Sequence, residues 1–343
     1  KKKKKKKKKR NFALRASPGT DAMLTKSSSK SSSLLTLPTF EMLKSKQSKA
    51  EVKKKKFKMP YKKGRCLGKG KTAIVFAGKH RKTKERVALK YFIFNDFNDK
   101  HPGYVERELG IQKKFDHPNI LKVYDIIDYK GNPLLVMERA EGNLLDFMQN
   151  RAYMYFDNMV RSIIRQVLSA LVHIHQLGFV HRDIKPGNIL VGAKGVIKVA
   201  DFGFTRSIRY TLAGSKAVSG TPDFMPPECY VGDRVYNEKF DIWSTGVTLC
   251  YLLLRRRPVD LKPKNKEGRE EIMRRLIKIG KVDTLHYEKE LGENRRFVSA
   301  LLTVDYTKRP SASECLKMPW FSDFDEKQNN DYSKRLAALS TIM

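Results

Sequence analysis

Glu141-Gly142-Asn143 divides this chain into two stretches of different hydrophobic period. Before it, short runs rich in β-branched and aromatic residues read as strands: 74–77, 87–92, 121–127 and 134–137. The first two flank a charged turn at 79–86, which makes them an antiparallel pair. Residues 103–115 carry Val105, Leu109 and Ile111 at helical spacing, and His117-Pro118 stops that helix because the residue before a proline is pushed out of the α region. After the divide the period becomes helical. Val160, Ile163, Ile164, Val167, Leu168, Leu171, Val172 and Ile174 lie on one face, between a capping Asp157 and a terminating Gly178. Residues 242–254 are apolar nearly all round and read as a buried helix, with further helices at 272–279 and 297–302. The expectation is an α+β chain of two lobes: a small antiparallel sheet with one helix, then a larger, mainly helical lobe, with a cleft between them.

Charge sets the first 58 residues apart. They hold 21 Lys and Arg against the three acids Asp21, Glu41 and Glu51, a net +18 of the chain's +35. Nine lysines open the chain, serine runs follow at 27–29 and 31–33, and 53–56 are lysines again. Like charges repel and little apolar surface is on offer, so residues 1–58 read as a disordered basic, serine-rich tail. Its lysine clusters suit a nuclear import receptor or a polyanion such as nucleic acid or an acidic membrane. The four cysteines, Cys66, Cys229, Cys250 and Cys315, form no C-x-x-C pair, which fits a reducing intracellular setting, nucleus or cytoplasm. The longest apolar run, 248–254, is far short of the ~20 residues of a membrane span. The chain opens on Lys1 rather than Met and has no signal peptide in view, so a piece of a longer protein is expected.

The chemistry concentrates in His181-Arg182-Asp183-Ile184-Lys185-Pro186-Gly187-Asn188, followed by Asp201-Phe202-Gly203. A carboxylate, a cation and an amide in one loop, then a second carboxylate before a glycine, suit a polyphosphate held through metal ions. Upstream, Leu67-Gly68-Lys69-Gly70-Lys71-Thr72-Ala73-Ile74-Val75 lets backbone approach phosphate oxygens at its glycines, and Lys90 lies fifteen residues past Val75 on a strand.

Together these motifs resemble those of the eukaryotic protein kinases, serine/threonine type: G-x-G-x-x-G-x-V, a strand lysine, H-R-D-x-K-x-x-N and D-F-G. The resemblance spans 61–321, leaving 322–343 as a C-terminal extension. It implies ATP and Mg2+ as cofactors and protein substrates. In that reading Asp183 is the catalytic base and Lys185 neutralises the transferring phosphoryl group. Asn188 and Asp201 hold the metal. ATP is bound by residues 67–75 (Leu67, Gly68, Lys69, Gly70, Lys71, Thr72, Ala73, Ile74 and Val75) and by Lys90, which is paired with Glu108. Ala88 and Val75 roof the adenine, Leu190 floors it, Met137 is the gatekeeper, and the backbone of Glu138 and Ala140 bonds the base. Glu228 in Pro226-Pro227-Glu228 is implied to pair with Arg309, and Asp241 to tie the catalytic loop to the buried helix. Thr221 and Lys185 point to serine/threonine rather than tyrosine, with dual specificity left open. The opposite reading is a pseudokinase scaffold with a polyanion-binding tail.

The chain also departs from the family pattern. Ala73 replaces the third glycine, and Pro226 the alanine of A-P-E. Gln112 stands four residues past Glu108, where an apolar residue usually packs on the D-F-G phenylalanine; a polar group there costs unless it is hydrogen-bonded. Ala217 occupies the position of the usual phosphorylated threonine, which leaves Ser215 or Ser219, with Thr211 nearby, as candidates for a phosphate partnered by Arg182.

Overall fold

Tyr61-Lys-Lys-Gly-Arg-Cys-Leu-Gly-Lys69 has no hydrophobic alternation, yet it forms the edge strand of a five-stranded sheet. In the computed structural model the described residues are 58–70, 72–93, 104–149, 157–208, 220–230, 237–259, 265–282, 288–322 and six positions within 331–338. All fall in one unit, 38–343. Residues 1–57 of the basic tail, Lys71, and the activation-segment candidates Thr211, Ser215 and Ser219, with Ala217, lie outside them.

The sheet comprises β1 (Tyr61–Lys69), β2 (Ala73–His80), β3 (Arg86–Phe92), β4 (Val123–Tyr129) and β5 (Asn132–Glu138), in the order β1-β2-β3-β5-β4. Every neighbouring pair is antiparallel. β1 could not be read from its residues because pairing with β2, rather than burial, makes it a strand. Of its lysines, Lys63 sets its ammonium 4.3 Å from the Phe76 ring centre and 5.6 Å from that of Tyr91. The helix expected over 103–115 is α1 (Tyr104–Ile111), and a 3-10 turn, Gln112–Lys114, completes the run. Val105 and Leu109 of α1 join Ala88, Leu135 and Met137 in a core beneath the sheet.

The chain then makes β6 (Gly142–Asn143), α2 (Leu144–Gln149) and α3 (Asp157–Gln176). The predicted apolar stripe of α3 is the centre of the second core: Val160, Ile163, Ile164, Val167, Leu168, Leu171 and Ile174 are fully buried. Gly178 turns the chain at φ +77° after α3, as glycines past helix ends do. The loop that follows is strung on short strands, β7 (Phe179–Val180), β8 (Ile189–Val191), β9 (Ile197–Val199) and β10 (Arg206–Ser207). Further helices are α4 (Lys239–Leu254), α5 (Lys266–Ile279), α6 (Glu288–Leu291), α7 (Arg295–Leu301) and α8 (Ala312–Leu316). Twelve of the sixteen residues of α4 are buried, so its all-round apolarity reflects a central position. Among the described residues no helix is long and apolar enough to cross a membrane.

At Gly246, α4 packs closely against the end of α7. A Cβ there would lie 2.9 Å from Leu301 Cβ and 2.9 Å from Leu302 Cδ2. Gly246→Ala is therefore expected to destabilise. Overpacking costs about 1–3 kcal/mol, and the better helix propensity of alanine returns at most ~1 kcal/mol. A lower urea midpoint than wild type would show it; an unchanged or higher midpoint would contradict the close approach.

Candidate active site

The loop after β7 is held from below by a carboxylate on α4. Asp241, fully buried, accepts the backbone N–H of His181 at Oδ2 and of Arg182 at Oδ1, both at 2.8 Å. His175, in the last turn of α3, donates its Nε2–H to Oδ2, also at 2.8 Å. Burial alone would raise the Asp241 pKa, but these partners more than reverse it and hold the carboxyl below its usual value. The anchored loop can then carry Arg182 at φ +71°, a conformation that few non-glycine residues adopt.

His181 is buried beneath the loop. Its Nε2 lies 3.2 Å from Ala200 O, and a carbonyl only accepts, so the ring proton is on Nε2. Nδ1 accepts from Asp183 N at 3.3 Å. Burial depresses the His181 pKa, and the pull of Asp241, Asp183 and Asp201 does not restore it. The unfolded chain takes up this proton near pH 6.5, whereas the folded chain resists it. The contribution to stability is thus complete above about pH 6.5. It declines by up to ~1.4 kcal/mol per pH unit as pH falls below that. Unfolding curves between pH 5 and pH 7 should show the decline, with a smaller slope in His181→Gln; equal slopes would contradict it.

The Asp183 carboxylate is filled by four donors. Oδ2 accepts from Lys185 Nζ and Asn188 Nδ2, both at 2.7 Å. Oδ1 accepts from Thr221 Oγ1 at 2.7 Å and Thr221 N at 3.0 Å. Lys185 Nζ also donates to Thr221 Oγ1 at 2.6 Å. Thr221, marked in the sequence only as pointing to serine/threonine, therefore closes a ring with Asp183 and Lys185. Nothing in sequence spacing reveals this, since 38 residues separate it from Asp183.

Across the cleft Lys90, on β3, forms an ion pair with Glu108, on α1. Asp201 Oδ1 lies 3.7 Å from the same ammonium. Burial works against the Lys90 charge, but Glu108 and Asp201 overcome it and raise its pKa. Burial also raises Glu108, to about 7, with Lys90 pulling the other way. Its second oxygen, Oε2, has no hydrogen-bond partner among the described residues, which leaves part of that burial uncompensated.

Phe202 is fully buried. Its ring lies 5.0 Å from that of Phe115 and 4.8 Å from that of His181. Gln112 does not destabilise this stack as a bare polar group would. Its Nε2 donates to Leu121 O at 2.9 Å, although its Oε1 is buried without a partner among the described residues. Phe115, three residues further on, supplies one of the two ring contacts on Phe202.

A cavity of about 550 Å³ opens between the sheet and β8. Of the residues assigned to nucleotide or metal, Leu67, Gly68, Lys69, Gly70, Thr72, Ala73, Val75, Ala88, Lys90, Glu108, Met137, Glu138, Ala140, Asn188, Leu190 and Asp201 line it. Ile74 does not. Successive side chains of a strand face opposite ways, and β2 turns Ala73 and Val75 inward. Arg65, Leu121, Glu141, Asp146 and Ala200 also line the cavity and had no motif to announce them. Glu138 donates its own N–H to Lys122 O at 2.8 Å, so only its carbonyl can serve a base.

Asn188 turns its amide nitrogen to Asp183 O (2.9 Å) and Oδ2, which leaves its carbonyl oxygen on the other side. That oxygen and the half-exposed Asp201 carboxylate are hard donors of the kind Mg2+ takes alongside phosphate and water. Among the described residues no group of three His, Cys, Asp or Glu could hold a metal by itself. Beyond the cleft, Glu228 accepts two bonds from Arg309, at 2.8 and 3.1 Å, so the pair implied by the resemblance forms.

Comparison with known proteins agrees in kind. Residues 61–321 match the family described as the protein kinase domain. A probable myosin light chain kinase of Dictyostelium discoideum is 30% identical over 266 residues, covering 77% of this chain and 74% of that protein. Aurora kinase A-A of Xenopus laevis is 32% identical over 286 residues, covering 82% of this chain and 67% of its own length. Aurora kinase A-B of the same organism is 32% identical over 275 residues, covering 79% and 64%.

Proposed function

This chain belongs to the protein kinase family, and on that premise we propose that it is an active enzyme moving the γ-phosphate of ATP to serine and threonine hydroxyls of proteins. The observation that carries this reading is the Asp183 carboxylate, held by Lys185, Asn188 and Thr221. Asp183 accepts the proton of the attacking hydroxyl. Lys185 sets a positive charge beside the group in transfer. Lys90, kept charged by Glu108 and Asp201, binds the nucleotide phosphates. Asn188 and Asp201 would hold Mg2+, which when bound neutralises charge on the β- and γ-phosphates. Covalent participation is not needed, because positioning and charge stabilisation provide most of the rate. The Thr221 hydroxyl between Asp183 and Lys185 favours serine/threonine specificity.

The same reading sets the enzyme in a reducing cell interior, nucleus or cytoplasm, and none of its four cysteines is joined in a disulfide. The lysine-rich tail would serve as a contact for polyanions or an import receptor, with steeply salt-dependent binding.

The deciding experiment is transfer of labelled phosphate from ATP and Mg2+ to a peptide library. Label on serine or threonine peptides is expected. No transfer from protein that binds ATP would make it a nucleotide-binding scaffold, and label confined to tyrosine would refute the specificity.

A further inference from the structure

On the first three strands, cationic side chains stand in register. Lys62 pairs with Lys79, and Lys79 with Arg86, so three cations lie directly opposite one another on one face of the sheet. Like charges placed that way destabilise a sheet. Among the described residues neither Lys62 nor Lys79 meets a carboxylate. Arg86 meets one, Glu141, at 3.3 Å, with the arginine side chain 65% exposed.

Beside this ladder the sheet is hollow. Its floor is Gly64 and Ala77, where a Cβ on the glycine would lie only 3.3 Å from Ala77 Cβ. The result is a cavity of about 300 Å³ walled by Lys62, Lys79, Arg86 and Arg139, with no acidic residue in its lining. It shares no lining residue with the larger cleft. Arg139 feels the accumulation of charge. Its burial and the neighbouring Arg86 and Arg65 push its guanidinium below the usual value, and Glu141 opposes them only in part.

Lysine and arginine side chains donate hydrogen bonds and accept none. A ligand that fits this cavity must therefore be rich in acceptors and negatively charged. Arginine forks and lysine point charges match phosphate oxygens. The volume is at the lower end of the roughly 300–1,000 Å³ usual for small-molecule sites. We propose that this cavity is a second ligand site, which binds a compact anion bearing several phosphate groups, either as a soluble inositol polyphosphate or as the headgroup of a phosphorylated inositol lipid. Bound there, the anion neutralises the ladder and ties β1, β2 and β3 to the segment that carries Ala140. Those strands also carry Val75 and Ala88, so occupancy stiffens the roof of the cleft.

The test uses the full chain at about 0.15 M salt, where surface charges more than ~8 Å apart are screened. The cleft is filled with a non-hydrolysable ATP analogue so that it takes up neither probe. One arm adds inositol hexakisphosphate, the other vesicles containing phosphatidylinositol 4,5-bisphosphate. The variant is Lys62→Thr/Lys79→Thr, which leaves every lysine of the tail in place. Wild type should bind at least one probe saturably, and the variant at least tenfold more weakly; the probe affected identifies the source of the phosphates. Without ligand the variant should melt above wild type, because the cross-strand repulsion is gone and threonine suits strands. Equal affinity of the two proteins would assign binding to the tail and overturn the proposal. So would the absence of saturable binding of both probes, or an unliganded variant that melts below wild type.

Discussion

Replacing Asp183 with Asn should lower the rate of phosphate transfer by about 10²- to 10⁴-fold, the range that removal of a general base produces. Size is almost unchanged by this substitution, so the effect is electrostatic. The carboxylate faces donors on both sides, Lys185 and Asn188 at Oδ2 and Thr221 N–H and O–H at Oδ1. An amide can offer an oxygen to one side only. On the other its NH2 confronts donors: the Thr221 hydroxyl could rotate to accept, but the Lys185 ammonium and the Thr221 backbone N–H cannot. The variant thus loses its proton acceptor and also one half of the geometry that holds the loop. A buried donor left unsatisfied adds about 1–3 kcal/mol of destabilisation. Nucleotide affinity should change little, because Lys90, Glu108 and the roof of the cleft are untouched. Steady-state kinetics separate the two effects: kcat falls while KM for ATP stays near wild type. A variant with wild-type kcat would remove Asp183 from the chemistry.

Arg309→Met should cost about 3–5 kcal/mol of stability, the usual consequence of leaving a buried charge without its partner. Arg309 is 1% exposed and Glu228 8%. Besides the two bonds to Glu228, the guanidinium donates to Lys239 O at 2.9 Å, Thr303 O at 2.8 Å and Val304 O at 3.3 Å. It also lies 5.0 Å from the Trp243 ring centre. It therefore ties the segment carrying Glu228 to the start of α4 and to the end of α7. Methionine fills much of the volume but satisfies none of these acceptors. The double variant Arg309→Met/Glu228→Leu should regain part of the loss, since the stranded carboxylate is gone while the three carbonyls are not. Denaturant midpoints of the single and double variants test both statements. A loss below about 1 kcal/mol would place the pair among weak surface-type contacts.

Much of the second lobe was legible because helices announce themselves locally. The stripe from Val160 to Ile174 repeats at the helical period, and all of its residues but the partly buried Val172 are fully buried in α3. Strands β2, β3 and β5 were legible for the same reason, as short runs of apolar and β-branched residues. The misses are elements that depend on a partner. β1 has no apolar alternation and exists because β2 pairs with it. α8 is five residues long and carries almost no stripe, although Ser311 and Glu314 form a capping box whose S-x-x-E spacing was there to be read.

The candidate site divides in the same way. Residues in one short motif, Asp183, Lys185 and Asn188, could be grouped from spacing alone. Thr221 could not be added to them, and neither could the packing of Phe115 and His181 on Phe202. Both depend on how far the chain turns between positions distant in sequence. Ile74 was grouped with its motif because a motif is linear, whereas a strand alternates.

By itself the sequence determined the local periods, the two-lobed class, and which charged and amide groups are present to handle phosphate. These follow from side-chain chemistry and from spacings of a few residues. Only the tertiary structure decided which groups meet: Lys90 with Glu108 and Asp201, Asp183 with Thr221, Arg309 with Glu228, and three cations in register over a cavity. The physical reason is that charge interactions and hydrogen bonds depend on distance and burial. Neither exists until strands and helices far apart in the chain are packed against one another.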